Sequence, residues 1–226
     1  MVKNMKAIFP SLAVAFFCFP GVPGLATETP APTEPKITWV DATDPTVTDI
    51  RAAGERNIER VGRALISEVD QTVATRGPAE ALAVLHLKNF PLPKPGPGQP
   101  RVTIIKFPSL RVRNPDNRPD AADQAALDRI QSELDAGNAP PSLLIQRIER
   151  PSAPVEWRVY RPIGTSNRCL ACHGDQDSLS PAVRAELDRL YPHDQATGYS
   201  AQQWCGVIRL SLVAAEPGPP VHIRKP

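Results

Sequence analysis

Methionine is almost missing from this chain. Its only two copies, Met1 and Met5, lie in the first few residues of 226. No apolar run approaches the ~20 residues needed to cross a bilayer as a helix, and aromatics make up only 5% of the chain. There is no second Cys-x-x-Cys and no His-x-x-x-His, so the paired clusters of a structural zinc site are lacking. No basic run with interleaved aromatics occurs, which argues against a nucleic-acid partner.

What the chain does have begins at its start. Lys3 and Lys6 precede an apolar run from Leu12 to Phe19, then Pro20, Pro23 and the small-residue site Gly24-Leu25-Ala26. This is the layout of a secretory signal peptide over 1–26, and it implies a periplasmic protein with no membrane span. Cys18 falls within the part removed. Loss of Lys3 and Lys6 brings Lys+Arg from 26 to 24 against Asp+Glu 24, so the mature charge is near zero. Both methionines leave too, so the mature chain offers no thioether ligand to a metal.

The most informative stretch is Cys169-Leu170-Ala171-Cys172-His173. Cys-x-x-Cys-His is the spacing of covalent haem c attachment: two thiols form thioethers to the vinyl groups and the adjacent imidazole takes the iron. A thioredoxin-like dithiol should open a helix directly after a buried apolar strand. Here the polar run Gly164-Thr165-Ser166-Asn167-Arg168 precedes Cys169. The expectation is one covalent haem c, held by Cys169 and Cys172, with His173 as proximal ligand. Cys205 is then left over, and burial in the apolar run after it is expected.

Candidates for the sixth iron position are His86, His193, His222, Cys205, a lysine amine or an open site. His222 lies in a proline-rich tail, and His193 in the turn Tyr191-Pro192-His193-Asp194. His86 lies in the apolar segment Ala81 to Lys88, where an imidazole needs a partner. That partner is either a backbone group or iron, and the scarcity of rivals makes His86 the chosen distal ligand.

Periodicity divides the rest. A proline-rich leader is expected over 27–45, a folded domain over 46–214 and a tail over 215–226. An amphipathic helix carries Val47, Ile50, Ile58, Val61, Leu65, Val69 and Val73 and stops at Gly77-Pro78. A second, over 79–88, carries His86, and 91–100 is a proline- and glycine-rich loop. Val102 to Phe107 has strand composition. Asp120 caps a helix with Leu127, Ile130 and Leu134 on its apolar face, stopped by Gly137. Leu143 to Glu149 and Val155 to Arg161 form a hairpin pair, Ser180-Pro181 opens a helix, and Gly206 to Val213 is a final strand. On that strand Ile208, Leu210 and Leu212 share one face, with Arg209 and Ser211 on the other. This order predicts α+β with an antiparallel sheet.

Several motifs in order carry a resemblance over about 46–213. They are the Leu-His-Leu-Lys core of 81–88, Arg113-Asn114-Pro115-Asp116-Asn117-Arg118-Pro119-Asp120, Trp157 to Pro162, Cys169 to Gly174, and Tyr191 to Tyr199. The chain resembles exported single-haem c-type cytochromes with a PAS-like haem domain, known as free cytochromes and as sensor ectodomains. The resemblance implies a PAS-like sheet with flanking helices, a long N-terminal helix and a distal ligand from the early helices. Some relatives have a cysteine there; this sequence has Leu85 and His86, so histidine is the natural substitute. It also places the Arg-Asn-Pro loop near the haem, with Arg111 or Arg113 as a propionate contact.

The expected function is one-electron transfer by a periplasmic, His/His-ligated haem of low potential, served by a separate redox partner protein. The alternative is a redox or small-ligand sensor module in which His86 is displaced and an early helix reports to a partner. A peroxidase needs an open iron site with distal acid/base groups, and no such constellation is visible, so an enzyme is not expected. The first helix is a candidate homodimer surface.

Overall fold

The computed structural model describes residues 34–85 and 90–215, all within one unit of the chain. The expected signal peptide, residues 27–33 of the leader, His86, Lys88, His222 and the tail from Glu216 lie outside the described residues.

Five strands form one antiparallel sheet: β1 (Lys36–Val40), β2 (Arg101–Lys106), β3 (Leu144–Glu149), β4 (Glu156–Gly164) and β5 (Trp204–Val213). Their order across the sheet is β1-β3-β4-β5-β2. The expected hairpin pair is β3 and β4, with Ile145 opposite Val159. β1 corrects the leader boundary, because Lys36–Val40 pairs with β3 from Lys36↔Glu149 to Val40↔Ile145. Ile37 and Trp39 alternate with Lys36 and Thr38, the period of a half-covered strand, and their apolar surface holds the segment on the sheet edge.

Helices cover both faces. α1 (Thr48–Arg76) lies on one, where Val47, Ile50, Ala53, Ile58 and Val61 pack against Val102, Ile145, Val159, Ile208, Leu210 and Leu212. The contact is close because residue 54 is glycine: a Cβ there would stand 2.7 Å from Val159 Cγ1. Only the first half of α1 is buried; Leu65, Val69 and Val73 continue the apolar stripe but stay partly exposed. α1 stops at Gly77, and α2 (Pro78–Leu85) follows at once.

α3 (Ala121–Asp135) covers the opposite face with Ala126, Leu127 and Ile130 against Leu144, Tyr160 and Val207. Its cap is the expected Asp120, whose carboxylate accepts from the Ala122 and Asp123 amides, while Asp123 reaches back to the Asp120 amide. The polar positions of β4 and β5 lie under this helix. Arg209 and Ser211 are buried, at 2% and 0% exposure. Arg158 donates to Asp120 (2.6 Å), Asp123 (3.0 Å) and Glu156 (2.7 Å). Arg209 Nε lies 3.2 Å from Asp123, and Ser211 donates to Glu156 at 2.6 Å. Tyr160 donates to Gln146 at 2.8 Å. Burial alone would raise the Glu156 carboxyl, but hydrogen bonds from Arg158, Ser211 and Arg150 outweigh it and hold it down to about 2. No helix among the described residues is long and apolar enough to cross a membrane.

Candidate functional site around the Cys-x-x-Cys-His turn

β4 delivers the chain to the site at Gly164, and the loop beyond it is tied to the segment before β5. Thr165 donates its amide to Gln203 O (2.9 Å) and its hydroxyl to Ser200 O (2.5 Å). A 3-10 turn over Asn167–Cys169 then runs into α4 (Leu170–His173), a single helical turn. The Ser166 amide and hydroxyl face Cys169 Sγ at 3.4 and 3.3 Å. Gly174 closes the turn, its amide donating to Leu170 O at 2.9 Å; a Cβ at this position would stand 2.7 Å from that oxygen, so a side chain does not fit.

After α4 the chain forms α5 (Pro181–Leu190) and returns past the turn. Gly198 donates to Gly174 O (2.8 Å) and Tyr199 to His173 O (3.0 Å), so 196–199 runs alongside the motif. This brings Ala196 O to 2.7 Å from His173 Nδ1. A carbonyl only accepts, so Nδ1 carries the proton and Nε2 keeps its lone pair. Burial, then the Arg113 charge, push His173 down to about 4, so the ring is neutral at neutral pH. The Tyr199 ring meets it edge-on, 6.4 Å between centroids.

Arg113 fastens this arrangement. Its Nε donates to Asp194 (3.1 Å), and its Nη2 to Cys172 O (2.6 Å) and Ala196 O (3.2 Å), with the Asp194 carboxylate 2.9 Å from Nη2. Both side chains are 10% exposed. Nη1 has no carboxylate or carbonyl partner and donates instead to His173 Nε2 across 3.5 Å. Arg111 lies with its guanidinium 4.7 Å from the Tyr199 ring centre and donates to Thr197 O at 2.9 Å.

Cys172 joins an apolar cluster built from Leu179, Val183, Leu187 and Tyr191, against which Ala79 and Leu82 of α2 also pack. Burial raises its thiol above the ordinary range, partly offset by Arg113. Cys169 and Cys172 are free thiols. Asp70, on the far half of α1, pairs with Arg168 beside Cys169. Thus the partly exposed Leu65, Val69 and Val73 share their half of α1 with a residue paired to Arg168, the neighbour of Cys169.

The structure therefore gathers Cys169, Cys172, His173 and Arg113. His193 is exposed, as its turn suggested. His86, the expected distal ligand, lies outside the described residues. Cys205 is partly rather than fully buried; its thiol faces Ile163 O at 3.4 Å, and burial with the nearby Cys169 pushes it up to about 11. Sequence reasoning missed Asp194 and the Ala196 carbonyl. Both fall in the Tyr191 to Tyr199 motif, which assigns neither a role at the site, and no local pattern announces a partner of Asp194 81 residues away.

No curated protein matches the chain. Among solved structures it is similar to one titled the crystal structure of the cyanobacterial heme-protein Tll0287. The two share 17% identity over 70% of this chain and 96% of that one, with a TM-score of 0.36, too loose a likeness to carry argument. The Tll0287-like family model matches residues 97–212, from β2 through the Cys-x-x-Cys-His turn to β5. The chain belongs to the Tll0287-like family.

Proposed function

We propose that this chain is a periplasmic monohaem c-type cytochrome that transfers single electrons. One observation carries the reading: His173 stands beside two free thiols with Nδ1 held by the Ala196 carbonyl and Nε2 unprotonated. A backbone acceptor on the far ring nitrogen is the support that orients a metal-ligating histidine and raises its basicity. The family takes its name from a protein titled a heme-protein, which agrees.

A haem bound here would supply a one-electron couple. The chain's part is to tether it through Cys169 and Cys172, ligate it through His173, and cover it with apolar surface. The partly exposed Leu65, Val69 and Val73 are the apolar candidates on α1. Arg113 Nη1, which donates to His173 Nε2, would be displaced by an iron on that nitrogen and so become available to a propionate. Leu82 of α2 packs against the cluster containing Cys172, so α2 lies beside the motif, and His86 is the distal ligand of this reading. With no methionine in the mature chain, a His/His pair and a low potential follow. The sheet with helices on both faces is compatible with a PAS-like domain.

The packing of α2 on α5 and Cys172 favours a second reading, a sensor. Loss of a distal ligand just beyond α2 would free that helix to signal to a separate protein. Spectra of the ferric and ferrous protein, with and without carbon monoxide, test the two. Electron transfer predicts a low-spin haem indifferent to carbon monoxide, converted to high spin by His86→Ala. Rapid carbon monoxide binding by the unmodified protein would overturn it in favour of the sensor, and an unchanged spectrum in His86→Ala would remove His86 as ligand.

A further inference from the structure

A cleft outside the Cys-x-x-Cys-His turn carries a cluster of cations. It measures about 440 Å³ and lies between the first half of α1 and the loop before β2. Ala53 lines it with Arg56, Asn57 and Arg60 of α1, and Lys94 and Gln99 of the loop. Three cations line it and no carboxylate does. The nearest acid along α1 with a described partner, Glu59, is committed elsewhere, 3.7 Å from Arg63 and 3.8 Å from Arg161.

The polar groups are arranged as donors. Arg56 Nη2 donates to Gln99 Oε1 at 2.8 Å, which leaves the Gln99 amide nitrogen and most of the guanidinium unpaired. Arg60 and Lys94 have no hydrogen-bond or ion-pair partner among the described residues. The loop wall is stiff, since Pro93, Pro95 and Pro97 fix every second φ and the Gln99 amide closes a turn on Gly96 O at 3.1 Å. Arg56, Arg60 and Lys94 are exposed, so their charges face the water in the cleft, where an anion can pair with them.

We propose that this cleft binds a small multivalent oxyanion, either a polycarboxylate or a phosphate compound. The site is separate from the haem motif. Asp70, which touches Arg168, is ten residues beyond Arg60, about 15 Å along the helix axis. Arg56 and Arg60 project from one helix face one turn apart, and Lys94 faces them, so three point charges surround a ligand a few atoms wide.

Calorimetric titration of the full haem-loaded protein with citrate and with inorganic pyrophosphate, at constant ionic strength, tests the proposal. Saturable 1:1 binding of at least one is expected, and the preferred anion tells carboxylate from phosphate. Arg60→Ala/Lys94→Ala should weaken it at least tenfold while leaving the visible spectrum and unfolding midpoint unchanged. Arg63→Ala, which removes a cation of α1 outside the cleft, should leave affinity intact. Should the double variant unfold, Lys94→Gln alone is read instead, with the same direction expected. Absence of saturable binding by both anions overturns the proposal. So does affinity that survives loss of Arg60 and Lys94, or that falls equally in Arg63→Ala.

Discussion

Replacing Gly54 by alanine should destabilise the fold, although alanine is the better helix former. The helix-propensity gain is about 1 kcal/mol. Against it stands the fit of α1 on the sheet, where the new Cβ would lie 2.7 Å from Val159 Cγ1 and 2.9 Å from both its Cβ and Cγ2. Val159 cannot retreat. It is fully buried in the middle of β4, with Ile145 opposite on β3 and Leu210 opposite on β5. Overpacking in such a site costs ~1–3 kcal/mol, and three contacts under 3 Å place this one near the top, for a net loss of roughly 2 kcal/mol. A chain of this size should then lose about 4–8 °C in unfolding midpoint. The assay is thermal and urea unfolding followed by circular dichroism, with Val159→Ala as the second arm of a double-mutant cycle. Gly54→Ala/Val159→Ala should cost about 1–2 kcal/mol less than the sum of the singles. A Gly54→Ala protein as stable as the parent would refute the close seating of α1.

Three other perturbations test the remaining links. Asp123→Ala leaves Arg158 and Arg209 buried without their central counter-charge, and urea unfolding should register a loss of ~3–5 kcal/mol; a loss under 1 kcal/mol would mean the network is solvated. Glu156 has a folded pKa below its unfolded one, so its contribution is present above its ordinary 4.5 and lost as pH falls toward about 2. Stability measured down that range should therefore fall, and Glu156→Gln should flatten the slope; an unaltered slope would discard the assignment. Asp194→Asn removes a negative charge beside the Arg113–His173 assembly, so a haem attached there should shift its midpoint upward by tens of millivolts in a redox titration, and an unchanged midpoint would separate Asp194 from the iron.

The elements most legible in the sequence were those with strong local signals. The period of Val47, Ile50, Ile58 and Val61 located α1, and Asp120 and Gly137 bounded α3 within a residue or two. Alternation along β5 sorted its residues correctly between two faces. It did not tell that the polar face is also buried, because Arg209 and Ser211 are satisfied by Asp123 and Glu156 from distant segments. β1 was hidden by the prolines before it, which dominated the composition of a short strand held only at an edge. At the site, Cys169, Cys172 and His173 form a contiguous motif and were legible outright. The Asp194 and Ala196 partners of Arg113 and His173 depend on the chain returning after α5, a tertiary event without a local signature.

The central claim is that Cys169 and Cys172 carry a porphyrin through thioether bonds. Proteolysis of the denatured mature protein, followed by mass spectrometry of the fragment containing Cys169–His173, tests it most directly. The account predicts that fragment heavier by one haem, with both thiols resistant to alkylation. A fragment at its bare peptide mass with two alkylatable thiols, from a host proven to mature other c-type cytochromes, would contradict it.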